Sequence, residues 1–257
     1  MIVLGIDVGG SGIKGAPVDL GAGQLVVERH KILTPRPATP AAVAAAVAEL
    51  ASRFDGVGRA GIAVPAVVTH GVTRTAANID PAWIGCDAGG LLGQALGCPV
   101  TVLNDADAAG LAEMRYGAGR DRRGTVVLLT LGTGIGSAVF VDGVLVPNTE
   151  FGHLDIRGRK AEHRAAAQVR KNAKLSWPTW SARLSEILVV LEDLLWPDLF
   201  VLGGGVSRKP EKFLPLLTCR TPVVPAALGN DAGIVGAALA AAGGLAPFAP
   251  DVPPPMA

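Results

Sequence analysis

The feature that most constrains this chain is an internal repeat. The run Gly10-Ser11-Gly12-Ile13-Lys14-Gly15-Ala16 aligns without gaps to Gly132-Thr133-Gly134-Ile135-Gly136-Ser137-Ala138. An apolar run precedes each copy, at 2–6 and 126–131, and an apolar stretch follows each and ends at a turn glycine, Gly21 or Gly143. The offset is 122 residues both from Gly10 to Gly132 and from Gly21 to Gly143, near half of a 257-residue chain. Each copy reads as strand, glycine-rich turn, strand, turn and third strand. A chance match of two turns is the alternative, since such turns are common in α/β proteins. The matched exit glycine favours duplication. Two similar halves would set their turns face to face across a cleft.

Between and after the copies the pattern alternates between strands and helices. Helices are expected at 40–54 with Thr39 as N-cap, at 87–96, 106–116, 161–171, 181–195, 210–217 and 232–242. Strands are expected at 60–64, 99–103, 199–202 and 222–225. This alternation predicts an α/β fold with a mainly parallel sheet in each half. Apolar residues make up 49% of the chain but aromatics only 4%, so the core must be aliphatic, as in a sheet buried on both faces. The residues divide into a small domain at 1–105, with a helix at 231–244 packing back on it, a large domain at 106–230, and a Pro-rich tail at 245–257.

Composition also excludes functions. A net charge of +1 argues against a general nucleic-acid binder, and no helix pair for DNA reading precedes the first strand. The apolar start is too short for a signal peptide and follows no basic segment. No run is long enough to span a membrane. Cys86, Cys98 and Cys219 form no CxxC pair, so they read as reduced thiols of a cytoplasmic protein.

Phosphate chemistry is the reading of the glycine turns. Phosphate needs convergent N–H donors and close backbone approach, which glycine permits. The candidates are Gly9, Gly10, Ser11, Gly12 and Lys14 in the first turn, Gly132, Thr133 and Gly134 in the second, and Gly203 and Gly204 in a triple glycine after a later strand. No Walker A loop is present, and no helix follows directly as a dinucleotide fingerprint requires. Asp7, at the end of the first strand, either holds Mg²⁺ through water beside the phosphates or caps the turn backbone. Asn104-Asp105 ends a strand and enters a helix, the edge where open α/β sheets bind ligands. Asp105 is either the acceptor of a substrate hydroxyl proton, a helix N-cap, or both. Asp107 competes for that role but lies one helical position on and points elsewhere. Glu150 and His153 flank Gly152 as a carboxylate and an imidazole suited to reading neighbouring sugar hydroxyls, and Glu162 either completes that set or is a solvated surface residue.

The segments GIDVGGSGIKG, LNDADAAGLAE, LTLGTGIGSA, EFGHL and LFVLGGGVS together resemble the ROK family of sugar kinases. TPRPATP, RTAANID and VPNTEFGHL are similar to its polyphosphate-using glucokinase branch, over residues 2–243. The resemblance implies an actin-like, hexokinase-type fold of two α/β domains around a cleft. It implies phosphoryl transfer to the 6-hydroxyl of glucose, Mg²⁺, and inorganic polyphosphate as donor, with ATP variable. It implies Asp105 as catalytic base, Asn78, Asn104, Glu150, His153 and Glu162 as sugar contacts, and a homodimer. The alternatives are an ATP-dependent glucokinase or glucomannokinase and, in a different class, a non-catalytic sugar sensor. Two departures stand out. The stretch 155–162 lacks the cysteines of the family's zinc motif, so no structural zinc is expected. Pro65-Ala66 stands where the family commonly has Pro-Gly, which bears on sugar affinity and on glucose-over-mannose preference. A long polyanion as donor calls for a basic track to the cleft, with Lys14, Arg120, Arg122, Arg123, Arg208 and Lys209 as candidates; for Arg120 to Arg123 a solvated loop is the favoured reading.

Overall fold

In a computed structural model, which describes residues 1–76 and 79–243, the chain builds two mixed sheets of the same topology. The first contains β1 (Ile2–Val8), β2 (Ile13–Asp19), β3 (Gln24–Leu25), β4 (His30–Ile32), β5 (Ala60–Val64) and a later strand, Val100–Asn104. A separate small hairpin pairs β6 (Val68–Thr69) with β7 (Val72–Thr73), and Val100–Asn104 is therefore β8. The order is β3-β2-β1-β5-β8, with β4 on the free side of β2's cleft end. The second sheet contains β9 (Thr125–Leu131), β10 (Ile135–Val141), β11 (Val144–Val146), β12 (Leu199–Gly203) and β13 (Val223–Pro225), in the order β11-β10-β9-β12-β13.

Each sheet mixes antiparallel and parallel pairings, three and two in the first and two and two in the second, which corrects the expectation of mainly parallel sheets. β1 pairs antiparallel with β2 and parallel with β5, and β9 pairs antiparallel with β10 and parallel with β12. The cause is the repeat itself: its glycine turns are hairpin turns, and a short hairpin can join only antiparallel strands. The exit turns differ. Asp142 and Gly143 both have positive φ in a two-residue turn, whereas the left-handed glycine of the first copy is Gly23, not Gly21.

Both sheets are buried on both faces. Along β1, Leu4, Ile6 and Val8 pack against α1 (Pro40–Ala51) and α2 (Ala88–Leu96). Val3 points the opposite way, as the two-residue period of a strand requires. Two further helices fill the space between the sheets: α3 (Asp105–Tyr116), which packs on β10 and β9, and the final helix Ala232–Ala241, which packs on β1, β2, β5 and β8. Val127, Leu129 and Leu131 cover the outer face of β9 with α4 (Ala161–Ala165) and α6 (Trp177–Leu195). Between those two helices runs α5 (Ala167–Asn172), which makes Ala232–Ala241 the seventh helix, α7.

Local chemistry accounts for the helix ends. Thr39 caps α1 ahead of Pro40, Asp87 caps α2, and Gly97 closes α2 in the left-handed conformation. The expected helix at 161–171 is broken at Ala166, whose extended backbone separates α4 from α5. The expected helix at 210–217 is two short 3₁₀ turns, Pro210–Lys212 and Leu214–Leu216. Pro215 lacks the N–H a continuous helix would need there, and Phe213 turns inward to stack on Trp177 and meet Trp180 edge-on. Asn78 and the tail at 245–257 lie outside the described residues. Among the described residues no helix is long and apolar enough to cross a membrane.

The middle layer depends on glycine. A Cβ on Gly236 of α7 would collide with the carbonyl of Ala108 on α3, one on Gly61 with the carbonyl of Ala237, and one on Gly5 with that of Ile234. In an exposed helix, Gly→Ala stabilises by about 1 kcal/mol. Here the sign should reverse. Gly236→Ala is expected to destabilise the protein by at least about 2 kcal/mol, because the methyl forces two backbones apart. Urea denaturation measures it, and a stabilised variant would refute the close crossing.

Candidate active site

The parallel strands deliver their carboxyl ends to one edge of each sheet. In the first sheet Val64 pairs with Asn104, beside the end of β1. In the second, Gly203 pairs with Thr130 near the end of β9. These two edges enclose a cavity of about 550 Å³. Its walls include Gly9, Gly10 and Ser11 from the first turn and Gly132, Thr133 and Gly134 from the second. Asn104, Asp105, Glu150, His153, Glu162 and Gly204 complete the expected set that lines it.

The two turns are built differently. In the first, residues 9–12 span the hairpin, Gly9 N–H donates to the Gly12 carbonyl (3.0 Å), and Thr34 Oγ1 donates to the Gly9 carbonyl (2.5 Å). In the second, residues 132–134 suffice, with Gly132 N–H on the Gly134 carbonyl (3.0 Å). The extra residue shifts the entering strand by one. Asp7 pairs with Lys14, whereas the residue opposite Gly136 is Thr130. A carboxylate on one side therefore answers a hydroxyl on the other.

Some expected phosphate residues stand back from the cavity. Lys14 Nζ is 2.9 Å from Asp7 Oδ2, so its charge is already paired. Gly12 is buried beneath the Lys31 side chain, a cation at this edge that sequence reasoning missed. Its signal is the pairing of β4 with β2, which sets Lys31 opposite Lys14 and is invisible in the sequence alone. Gly203 ends β12, while Gly204 reaches the wall with φ +85°. Arg120, Arg122 and Arg123 lie on an exposed loop away from the cavity. α3 begins at the cavity and runs 12 residues, about 18 Å, before that loop, which leads into the opposite end of β9. Arg208 and Lys209 follow Gly204 and lie at the cavity end.

Asp105 is not the N-cap. Asn104 takes that role, its Oδ1 accepting from Ala106 N–H (2.8 Å) and Asp107 N–H (3.1 Å). Its Nδ2 donates to the Ala66 carbonyl (3.2 Å), which leaves one amide N–H for a ligand. The cap frees the Asp105 carboxylate to face the cavity. Burial, then the neighbouring charge of Asp7, push its pKa up to about 7, against the lowering effect of the Ala106 N–H. Asp107 points away: its Oδ2 accepts from Asn148 N–H (2.8 Å), and burial also pushes it up to about 7.

On the opposite wall, Ser137 fixes the acidic loop. Its hydroxyl donates to the Thr149 carbonyl (2.7 Å) and accepts from Phe151 N–H (3.0 Å), bracketing Glu150. Burial raises the pKa of Glu150, with Glu162 adding to the rise and His153 and Lys160 opposing it. His153 Nε2 lies 3.7 Å from Glu162 Oε1, and Glu162 also presses against Gly134. The loop at 155–162 is held by Gly158 N–H on Asp155 Oδ1 (2.7 Å), by Ala161 N–H on the Leu154 carbonyl (2.8 Å) and by Arg157 on Glu186 (3.1 Å). Among the described residues no group of three or more His, Cys, Asp or Glu is placed to cage a metal. The arrangement fits a hydrated Mg²⁺ carried by phosphates and touched by one carboxylate, Asp7, through water.

Comparison with known proteins accords with this geometry. The model of the ROK family matches residues 3–163. The polyphosphate glucokinase of Mycobacterium tuberculosis is 59% identical over 237 residues, 92% of this chain and 89% of that protein. The inorganic polyphosphate/ATP-glucomannokinase of Arthrobacter sp. strain KM superposes with a TM-score of 0.90 at 50% identity, over 94% of this chain and 98% of that one. A ROK family glucokinase from Streptomyces griseus, solved with glucose and AMPPNP, gives a TM-score of 0.80 at 25% identity, over 95% and 100% of the two chains.

The raised carboxyl of Asp105 predicts a stability effect. Its folded pKa of about 7 lies above the ordinary 3.8, so the folded protein binds that proton more tightly than the unfolded chain does. Stability contributed by the protonated form is lost as pH rises from about 4 to about 7. Asp105→Asn should therefore melt higher than the parent protein, by a margin that widens from pH 5 to pH 7 and then levels. A margin independent of pH, or one that narrows, would show that the carboxyl is not perturbed.

Proposed function

The chain belongs to the ROK family, and on that premise we propose that it moves the terminal phosphoryl group of inorganic polyphosphate to the 6-hydroxyl of glucose, with ATP as a second donor. The observation that carries this reading is the meeting of two glycine turns and the Asp105 carboxylate in one cavity. The backbone N–H groups of the turns, with the hydroxyls of Ser11 and Thr133, bind the phosphate end of the donor. Glu150, His153, Glu162 and the remaining N–H of Asn104 read the sugar hydroxyls, each of which both donates and accepts. Asn78 is proposed as a further contact from the family resemblance alone.

Asp105 accepts the 6-hydroxyl proton as that oxygen attacks the terminal phosphorus in line with the leaving phosphate. Its raised pKa suits the task, since a base near the working pH is both largely ionised and able to hold the proton. Mg²⁺, when bound beside Asp7, supplies charge neutralisation on the phosphate oxygens. Residues 1–105 with α7 and residues 106–230 act as two lobes that close on the sugar and exclude water, which limits wasted donor hydrolysis. We place the enzyme in the cytoplasm, in keeping with three free cysteines, and as a homodimer.

Assay of glucose 6-phosphate with polyphosphate, ATP and GTP side by side tests the reading. Product from polyphosphate is expected, and its absence with every donor while glucose still binds would favour a sugar sensor. Asp105→Asn should lower kcat by at least about 100-fold. The KM for polyphosphate should rise steeply with salt while that for ATP changes less, because the polyanion meets Lys31, Arg208 and Lys209 at the cavity end. Equal salt sensitivity for the two donors would remove that track.

A further inference from the structure

Asn148 makes more bonds across the cavity wall than any catalytic role requires of it. It lies between β11 and the Glu150 loop, with φ +61°, a left-handed conformation that asparagine tolerates better than most residues. Its Oδ1 accepts from Val68 N–H (2.9 Å) and its Nδ2 donates to the Val68 carbonyl (2.8 Å). The side chain thus clamps β6 as a pairing strand would. Its own N–H donates to Asp107 Oδ2 (2.8 Å), a carboxylate only 2% exposed whose other oxygen is buried without a partner.

These bonds close a ring. From Asn104 the path crosses to the Ala66 carbonyl, follows the chain to Val68, crosses to Asn148, and returns through Asp107 to the first turn of α3. Asp105 lies inside the ring, between two of its members in sequence. Behind the ring is a second cavity of about 470 Å³, lined by Asn104, Asp107, Asn148 and Val68. Asn104 borders both hollows, so the wall between them is thin. Ala66 and Val68 are anchored in the apolar core of the first sheet. On the side of the second half, hydrogen bonds from Asn104 and Asn148 hold their backbone.

We propose that Asn148, oriented by Asp107, is a positioning residue that fixes the Pro65-Ala66 loop of one half and the Glu150 loop of the other at a set distance from Asp105, and thereby sets the affinity of the cavity for hexose. The inference rests on the reading that the hexose occupies this cavity. Asn148 need not touch the sugar. It acts through the two loops that do.

The test uses the full chain and glucose alone, followed by calorimetry, so that donor use does not enter. Asn148→Gly keeps the left-handed backbone and removes only the clamp. It is expected to weaken glucose binding roughly ten-fold or more, as the loss of two hydrogen bonds in a closed ring implies. In the kinetic assay the KM for glucose should rise while that for polyphosphate stays within about two-fold, a split that general unfolding would not give. A second pair guards against misfolding: Asp107→Leu should weaken glucose binding similarly, and Asp107→Asn, which keeps an oxygen for the Asn148 N–H, should recover most of it. Unchanged glucose affinity in both Asn148→Gly and Asp107→Leu would overturn the proposal. So would equal losses in Asp107→Asn and Asp107→Leu. If the parent protein itself fails to bind glucose, the reading of the cavity falls first.

Discussion

The backbone-to-backbone crossing of α3 and α7 is the constraint on which the rest of the molecule depends. Each helix belongs to the layer of a different sheet, and the two meet where Gly236 admits the carbonyl of Ala108. Gly5 and Gly61 let α7 lie against the first sheet in the same way. With ordinary side chains at these positions the sheets would stand further apart. The strand ends at Asn104 and Thr130 would then no longer share a cavity. Small residues in α7 are therefore a requirement of the site at a distance from it. The same helix bears the fold's most apolar stretch, so burial and close approach act together.

Electrostatics follow from that enclosure. Asp105, Glu150 and Glu162 line one hollow, the charge of Asp7 acts on Asp105 from behind it, and Lys14 is spent on Asp7. The walls offer phosphate mainly neutral N–H and hydroxyl groups, with free cations set at the rim. A polyanion entering such a site must bring neutralising charge with it. Among the described residues no cluster of carboxylates, cysteines or histidines is placed to hold that charge as a caged metal. The enclosure also accounts for a carboxylate that titrates near neutrality: Asn104 takes over the capping bonds, and Asp105 is left with burial and like charge around it.

Much of this was legible in the sequence. The repeat gave two equivalent sheets, and the strand ends gave Asp105, Glu150 and His153 a common location. Thr39 caps its helix as its residue type indicates, while Asp87, expected as the first residue of a helix, is its N-cap. What the sequence concealed depends on pairing between distant segments. Lys31 reaches the first turn only because β4 adds to β2. Asn148 reaches Val68 only because the two halves fold against each other. The charge of the Arg120–123 cluster is visible in the sequence and left both a track and a solvated loop open, because the direction in which α3 carries that loop is not visible there. The helix expected at 210–217 is absent because Pro215 interrupts the backbone, while Phe213, Leu214 and Leu217 reach the core from short 3₁₀ turns.

The one-residue difference between the two hairpin turns has a consequence for the direction of chemistry. A duplicated scaffold with identical rungs would present the same group from either side, and a substrate could not tell left from right. One added glycine slips a single strand by one position and sets an acid across from an alcohol, Asp7 against Thr130. The slip runs along the whole entering strand, so every rung below the turn meets a different partner in the two halves. A change of one in the count of turn residues thereby gives two copies of one scaffold unlike faces.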